Sequence, residues 1–132
     1  MELIRISPDK EKAKSISKMV ALLIERIEKQ DKIKFASLVI TDYYEVIKEL
    51  ITAILLADGY KTLSHKDLIE YLKERYQEFS EYEVNLIDWL RILRNRIAYD
   101  GFFVEHSYLK RNENSFKAII GKLQDLIKNK LR

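Results

Sequence analysis

The chain has 132 residues, 47% of them apolar, which suits one domain built around one core. It has no cysteine, so disulfides and thiolate metal sites are excluded, and its two histidines, His65 and His106, are too few for an ordinary zinc site without carboxylate help. Three glycines and one proline argue against many short strands, and the formal net charge of +3 hides an asymmetry: His106 to Arg132 holds seven Lys/Arg against two Asp/Glu, while the other residues hold 17 against 19.

Such a basic tail either contacts phosphates or forms a solvated helix face. The longest apolar run, "LITAILLA" from Leu50 to Ala57, is too short to span a bilayer, and the first residues carry no signal-peptide pattern. A soluble, cytoplasmic protein with no membrane contact is the expectation. Abundant Lys, Glu and Ile with no Cys point to a thermophilic source.

The first predicted element is a helix from about Pro8 to Gln30, capped by Ser7, with Ile16, Met19, Val20, Leu23, Ile24 and Ile27 at helical spacing. A second helix is expected to begin near Asp31 to Ile33 and to end at Gly59. Its apolar stripe is wide and includes Phe35, Leu38, Val39, Tyr43, Ile47 and Leu50, a width that implies burial against several neighbours. Ser64, with Asp67 three residues on, opens a third helix whose apolar positions are Leu68, Ile69 and Leu72.

The fourth helix has a clear start, because Ser80 followed by Glu83 is a capping box. Val84, Ile87, Leu90, Leu93 (or Ile92) and Ile97 form its buried stripe, and Gly101 ends it. Lys110 to Leu131 is predicted as a fifth helix, packing through Phe116, Ile119, Ile120, Leu123, Leu126 and Ile127. No strand pattern, repeat or linker interrupts this order. The expected fold is an all-α antiparallel bundle of about five helices in one domain, residues 1–132.

The stretch "LRILRNRIAYDG", Leu90 to Gly101, concentrates polar side chains at the end of the fourth helix. Asn95 and Tyr99 are four residues apart and share a face; Arg91 lies one turn before Asn95, and Arg94 lies beside them. Arg96 and Asp100 are also four apart and are spaced to pair. Arginine holds phosphate bidentately and stays charged, asparagine donates to phosphate oxygens, and tyrosine stacks on a base or donates its O–H. A second reading is open: Arg91 and Arg94 complement the helix dipole, worth about 0.3–1 kcal/mol each, and Tyr99 covers the end of the core with its hydroxyl in water.

"RNRIAYDG" resembles the Arg-polar-x-x-x-His signature of the HEPN superfamily of helical domains. In that signature an arginine is followed by a polar residue, and a histidine comes after four to six intervening residues. Arg94 and Asn95 match the opening pair, and four residues separate Arg94 from Tyr99, which stands in the histidine's place. The segment "DGYKTLSHKDLIEYL", Asp58 to Leu72, is similar to the family as well: a long helix ends in glycine and an aromatic, and a Ser-His pair opens the next. The resemblance covers roughly Ile33 to the C-terminus.

The resemblance implies a homodimer whose motif helices face each other across a cleft. It implies one of three activities: metal-independent RNA cleavage, binding of RNA or a nucleotide, or partnership as a toxin with a small nucleotidyltransferase antitoxin. No metal or cofactor is called for. Catalysis is assigned to Arg94 and Tyr99 only in the active case; binding is assigned to Arg91, Arg94, Asn95, Arg96 and Tyr99. Tyrosine departs from the family at the decisive place. Its ordinary pKa of about 10 suits neutral-pH proton transfer poorly beside about 6.5 for histidine, and a mismatch forfeits much of the roughly 10²–10⁴-fold credited to acid–base catalysis. His106, beyond the helix end, is a conceivable replacement, and His65 reads as a capping or packing residue. The expectation is therefore a non-catalytic module. Trp89, Phe102 and Phe103 are the apolar residues that a dimer or another partner would cover.

Overall fold

The structure, a computed structural model, describes residues 1–132. Its five helices are α1 (Lys10–Glu28), α2 (Ala36–Asp58), α3 (His65–Arg75), α4 (Glu81–Asp100) and α5 (His106–Lys130). The all-α bundle is the expected one. A two-stranded antiparallel ladder, β1 (Ile4–Arg5) with β2 (Tyr60–Lys61), was not expected from the sequence pattern. Two residues are too few to show the alternation by which a strand is recognised.

That ladder explains why α1 starts late. The Ile6 N–H donates to the Gly59 carbonyl at 2.9 Å and the Asp9 N–H to the Leu56 carbonyl at 2.8 Å, so the chain up to residue 9 is tied to the end of α2. The helix begins only beyond it. Asp9, not Ser7, is the cap, with its carboxylate accepting from the Lys12 N–H at 3.0 Å. The start of α2 is also later than periodicity suggests. One Asp31 carboxylate oxygen accepts from the N–H groups of Ile33 and Lys34, each at 3.0 Å, and this turn holds the chain out of the helix until Ala36.

The third and fourth helices start as their sequences dictate. Ser64 Oγ accepts from the Asp67 N–H, and Ser80 and Glu83 form the complete capping box. Gly59 and Gly101 end α2 and α4 in the left-handed conformation, at φ 92° and 64°. The last helix begins at His106, four residues earlier than Lys110. The Val104 N–H donates to Ser37 Oγ at 2.7 Å, which pins the short connection to α2 and lets α5 start almost at once.

The central element is α2, which packs on each of the other four helices and buries 13 residues of its own. One apolar cluster of 33 buried residues draws on all five helices. Fully burying each large aliphatic or aromatic side chain contributes about 1.5–3 kcal/mol, offset by the conformational entropy of ordering it. No helix is long and apolar enough to cross a membrane.

Three residues expected inside lie outside. Met19 on α1, and Phe35 and Leu38 at the start of α2, are exposed. Helical spacing places a residue on a face, but only a neighbour can cover it: Ala36 and Val39 on the same stretch of α2 are buried while Phe35 and Leu38 are not.

Candidate functional site

The polar face of α4 is built by the register of its buried face. Leu86, Val84, Ile87, Leu90 and Leu93 point inward, which brings Arg91, Arg94 and Asn95 to the half-buried margin and leaves Tyr99 in the open. Arg94 Nη1 donates to Asn95 Oδ1 at 3.3 Å, and its guanidinium carbon lies 5.9 Å from the centre of the Tyr99 ring. No carboxylate lies within salt-bridge distance of Arg94. Arg91 is different: its Nε donates to Asp88 Oδ1 at 3.0 Å, and the side chain is only 18% exposed.

Arg96 does not join this group. Two residues beyond Arg94 on a helix is a rotation of about 200°. Its guanidinium sits over the Phe102 ring at 5.9 Å, and it makes no ion pair with Asp100, contrary to what their spacing suggests. Tyr99 is 76% exposed, so it does not close the end of the core. His106 opens α5 beside Phe35 and Val104, among the residues lining a groove distinct from the arginine face.

The face is completed by residues that sequence reasoning did not assemble. His65, the first residue of α3, has its ring 6.0 Å from that of Tyr44 on α2. Ser64 is the helix cap, so His65 serves as a packing group, and it packs at a charged margin. Burial pushes the Tyr44 phenol up to about 12, against the opposing pull of Arg91 and Arg94. Burial holds the His65 imidazole below its ordinary value of 6.5; Lys48 and Arg94 depress it further, Glu45 opposes them, and Arg91 adds to the depression. The surroundings of His65 thus favour its neutral form. Lys48 itself is bound to Glu45 at 2.8 Å and Glu49 at 3.3 Å. The one available sequence signal was the charged series Asp42, Glu45, Lys48 and Glu49, spaced along one side of a largely apolar helix.

No protein-family model, curated protein or solved structure matches the chain.

Arg91 and Arg94 of α4 thus lie near enough to Tyr44 on α2 and His65 on α3 to act on both electrostatically. Arg94 has most of its five N–H donors unoccupied, in a planar fork that matches a phosphate. No group of three or more His, Asp or Glu side chains is arranged to hold a metal ion.

A separate apolar groove of about 560 Å³ is bordered by Phe35 and Leu38 from α2, Ile97 from α4, and Phe102 and Phe103 from the connection to α5. Both phenylalanines are exposed, Phe103 at 85%; neither turns into the core.

Proposed function

We propose that this chain is a HEPN-like binding module that holds a phosphate of RNA or of a nucleotide on Arg94, in a cleft between two copies of the bundle. The observation that carries the reading is a half-buried arginine with no carboxylate partner, held by an asparagine and fronted by an exposed tyrosine. An internal ion pair would have made Arg94 a structural residue; its absence leaves the charge for a ligand. Asn95 fixes the guanidinium, Arg91 adds field and donors, and Tyr99 is placed to stack on a base. The exposed apolar residues Leu38, Phe102 and Phe103 along the separate groove suit a self-association surface.

Binding leads over cutting in this reading because Tyr99, not an imidazole, occupies the motif's last position. The test is binding of a short single-stranded RNA across a salt series, with wild type and Arg94→Ala. The expected result is affinity that falls steeply with salt in the wild type and is largely lost in the variant. RNA binding that is absent, or indifferent to Arg94, overturns the reading. Metal-free RNA cleavage by the wild type but not by Arg94→Ala would replace it with the ribonuclease reading.

A further inference from the structure

We propose that a second groove, where α4, α5 and their connection meet, is a binding site for a nucleoside monophosphate, with the base stacked on Trp89 and Phe103 and the phosphate held by Arg111. The site is separate from Arg94 and stands whether or not RNA binds there.

One cavity brings these residues together. It measures about 490 Å³, inside the range of about 300–1,000 Å³ usual for small-molecule sites. Trp89 of α4, Phe102 and Phe103 of the connection, and Tyr108 and Arg111 of α5 all line it. Trp89, Tyr108 and Arg111 do not border the groove that Leu38 lines, so the two grooves share only residues of the α4–α5 connection.

The same side chains surround one phenol. The Tyr108 hydroxyl oxygen is buried with no hydrogen-bond partner. Burial pushes its pKa up; Trp89 pulls it down, although the indole is not placed to hydrogen-bond the oxygen, Tyr82 adds to the rise, and Arg111 opposes it. Trp89 and Arg111 are therefore close to the same atom as well as on the same lining.

The chemistry of the lining selects the ligand. The chain has one tryptophan, and its indole is 41% exposed rather than packed in the core; Phe103 is exposed as well. Open aromatic rings on a cavity offer stacking surfaces to a planar ring, and every nucleobase has a π face. A purely apolar ligand would leave Arg111 without a partner. Its guanidinium makes no ion pair, and its fork of N–H donors matches a phosphate. Ser107, on the same lining, precedes Arg111 by four residues on α5 and adds a hydroxyl donor on the same side of the helix. Glu105, the one carboxylate of the lining, is also in no ion pair; it is an acceptor for ribose hydroxyls or for a base amino group.

Because Trp89 is the only tryptophan, its emission reports on this groove alone. The experiment titrates the emission of the full chain with adenosine 5′-monophosphate, adenosine and ribose 5-phosphate, for wild type and Arg111→Gln. The expected result is saturable quenching by the monophosphate, with adenosine and ribose 5-phosphate each bound at least about tenfold more weakly, since each carries half of the recognition. Arg111→Gln is expected to bring the monophosphate down to the affinity of adenosine and to leave adenosine unchanged. Arg111 is exposed and outside the core, so the variant keeps the fold, which circular dichroism checks. No saturable quenching at millimolar monophosphate, adenosine binding as tightly as the monophosphate, or an affinity indifferent to Arg111→Gln overturns the proposal. So does quenching that survives Arg111→Gln but is lost in Arg94→Ala, which moves the nucleotide to Arg94. Failure of RNA to bind at Arg94 bears on that site only.

Discussion

The guanidinium of Arg94 sits 5.9 Å from the centre of the Tyr99 ring, with Asn95 holding its other side at 3.3 Å. The pair sets a half-buried cation against an exposed aromatic ring. Because Tyr99 is 76% exposed, replacing it changes stability little, within about 0.5 kcal/mol, as for surface positions in general. Tyr99→Ala is expected to weaken RNA binding by about 1–3 kcal/mol, the range for loss of one stacking platform, while Tyr99→Phe keeps most of the affinity. Fluorescence anisotropy beside a urea melt of each variant separates the two effects. Equal loss in Phe and Ala would mean that the hydroxyl, not the ring, makes the contact.

Self-association makes a second prediction. Leu38 is 52% exposed and Phe103 85%, on a groove that the monomer leaves open. Sedimentation velocity at micromolar concentration is expected to show a dimer for the wild type. Phe103→Glu and Leu38→Glu are expected to give monomers that keep the helical circular dichroism of the parent, since neither residue belongs to the core. A wild-type monomer at that concentration removes the cleft between copies.

The two left-handed glycines differ in what surrounds them. A Cβ at Gly59 would meet the Ile6 carbonyl oxygen at 3.0 Å and Pro8 Cγ at 3.4 Å, whereas one at Gly101 meets nothing within 4 Å. Gly101→Ala bears only the backbone cost, about 1–2 kcal/mol, and Gly101→Asn less than that. Gly59→Ala adds a clash with the segment that ties β1 to α2, so its loss is expected to exceed that of Gly101→Ala by about 1 kcal/mol or more. Urea denaturation of the two alanine variants decides it; equal losses would mean that the β1 segment yields freely.

Acid stability should depend on Asp58. Its carboxylate accepts from the Tyr71 hydroxyl at 2.6 Å and from the Tyr76 hydroxyl, and pairs with Lys130 Nζ at 2.6 Å, joining the ends of α2, α3 and α5. Burial raises its pKa, but the hydrogen bonds from Lys130 and the two tyrosines outweigh burial and hold the group below its ordinary 3.8. The folded state thus binds this proton less readily than the unfolded chain. The stability so gained is full above the unfolded value and is lost as pH falls through the folded one. Asp58→Asn is expected to cost about 1–3 kcal/mol at pH 7 and progressively less below about pH 4. A gap that stays constant down to pH 2 would show that the charge on Asp58 is irrelevant.

What the sequence determined by itself is local. Ser64, Ser80 with Glu83, Gly59 and Gly101 mark helix ends because capping and left-handed turns depend on one or a few adjacent residues. The buried stripe of α4 follows from periodicity, and with it the shared face of Arg94, Asn95 and Tyr99. Tertiary structure decided whatever depends on distant partners. The Ile6–Gly59 and Asp9–Leu56 hydrogen bonds delay α1, and the ladder they extend is two residues long. Leu38 shares its helix with buried residues yet lies open, because burial is a property of what packs against a face, not of the face. His65 and Lys48 stand 17 residues apart on different helices, and α4 follows many residues later. That Lys48 and Arg94 both act on His65 comes from α2, α3 and α4 packing together, and coulombic interactions decay with distance in space while a sequence displays only distance along the chain.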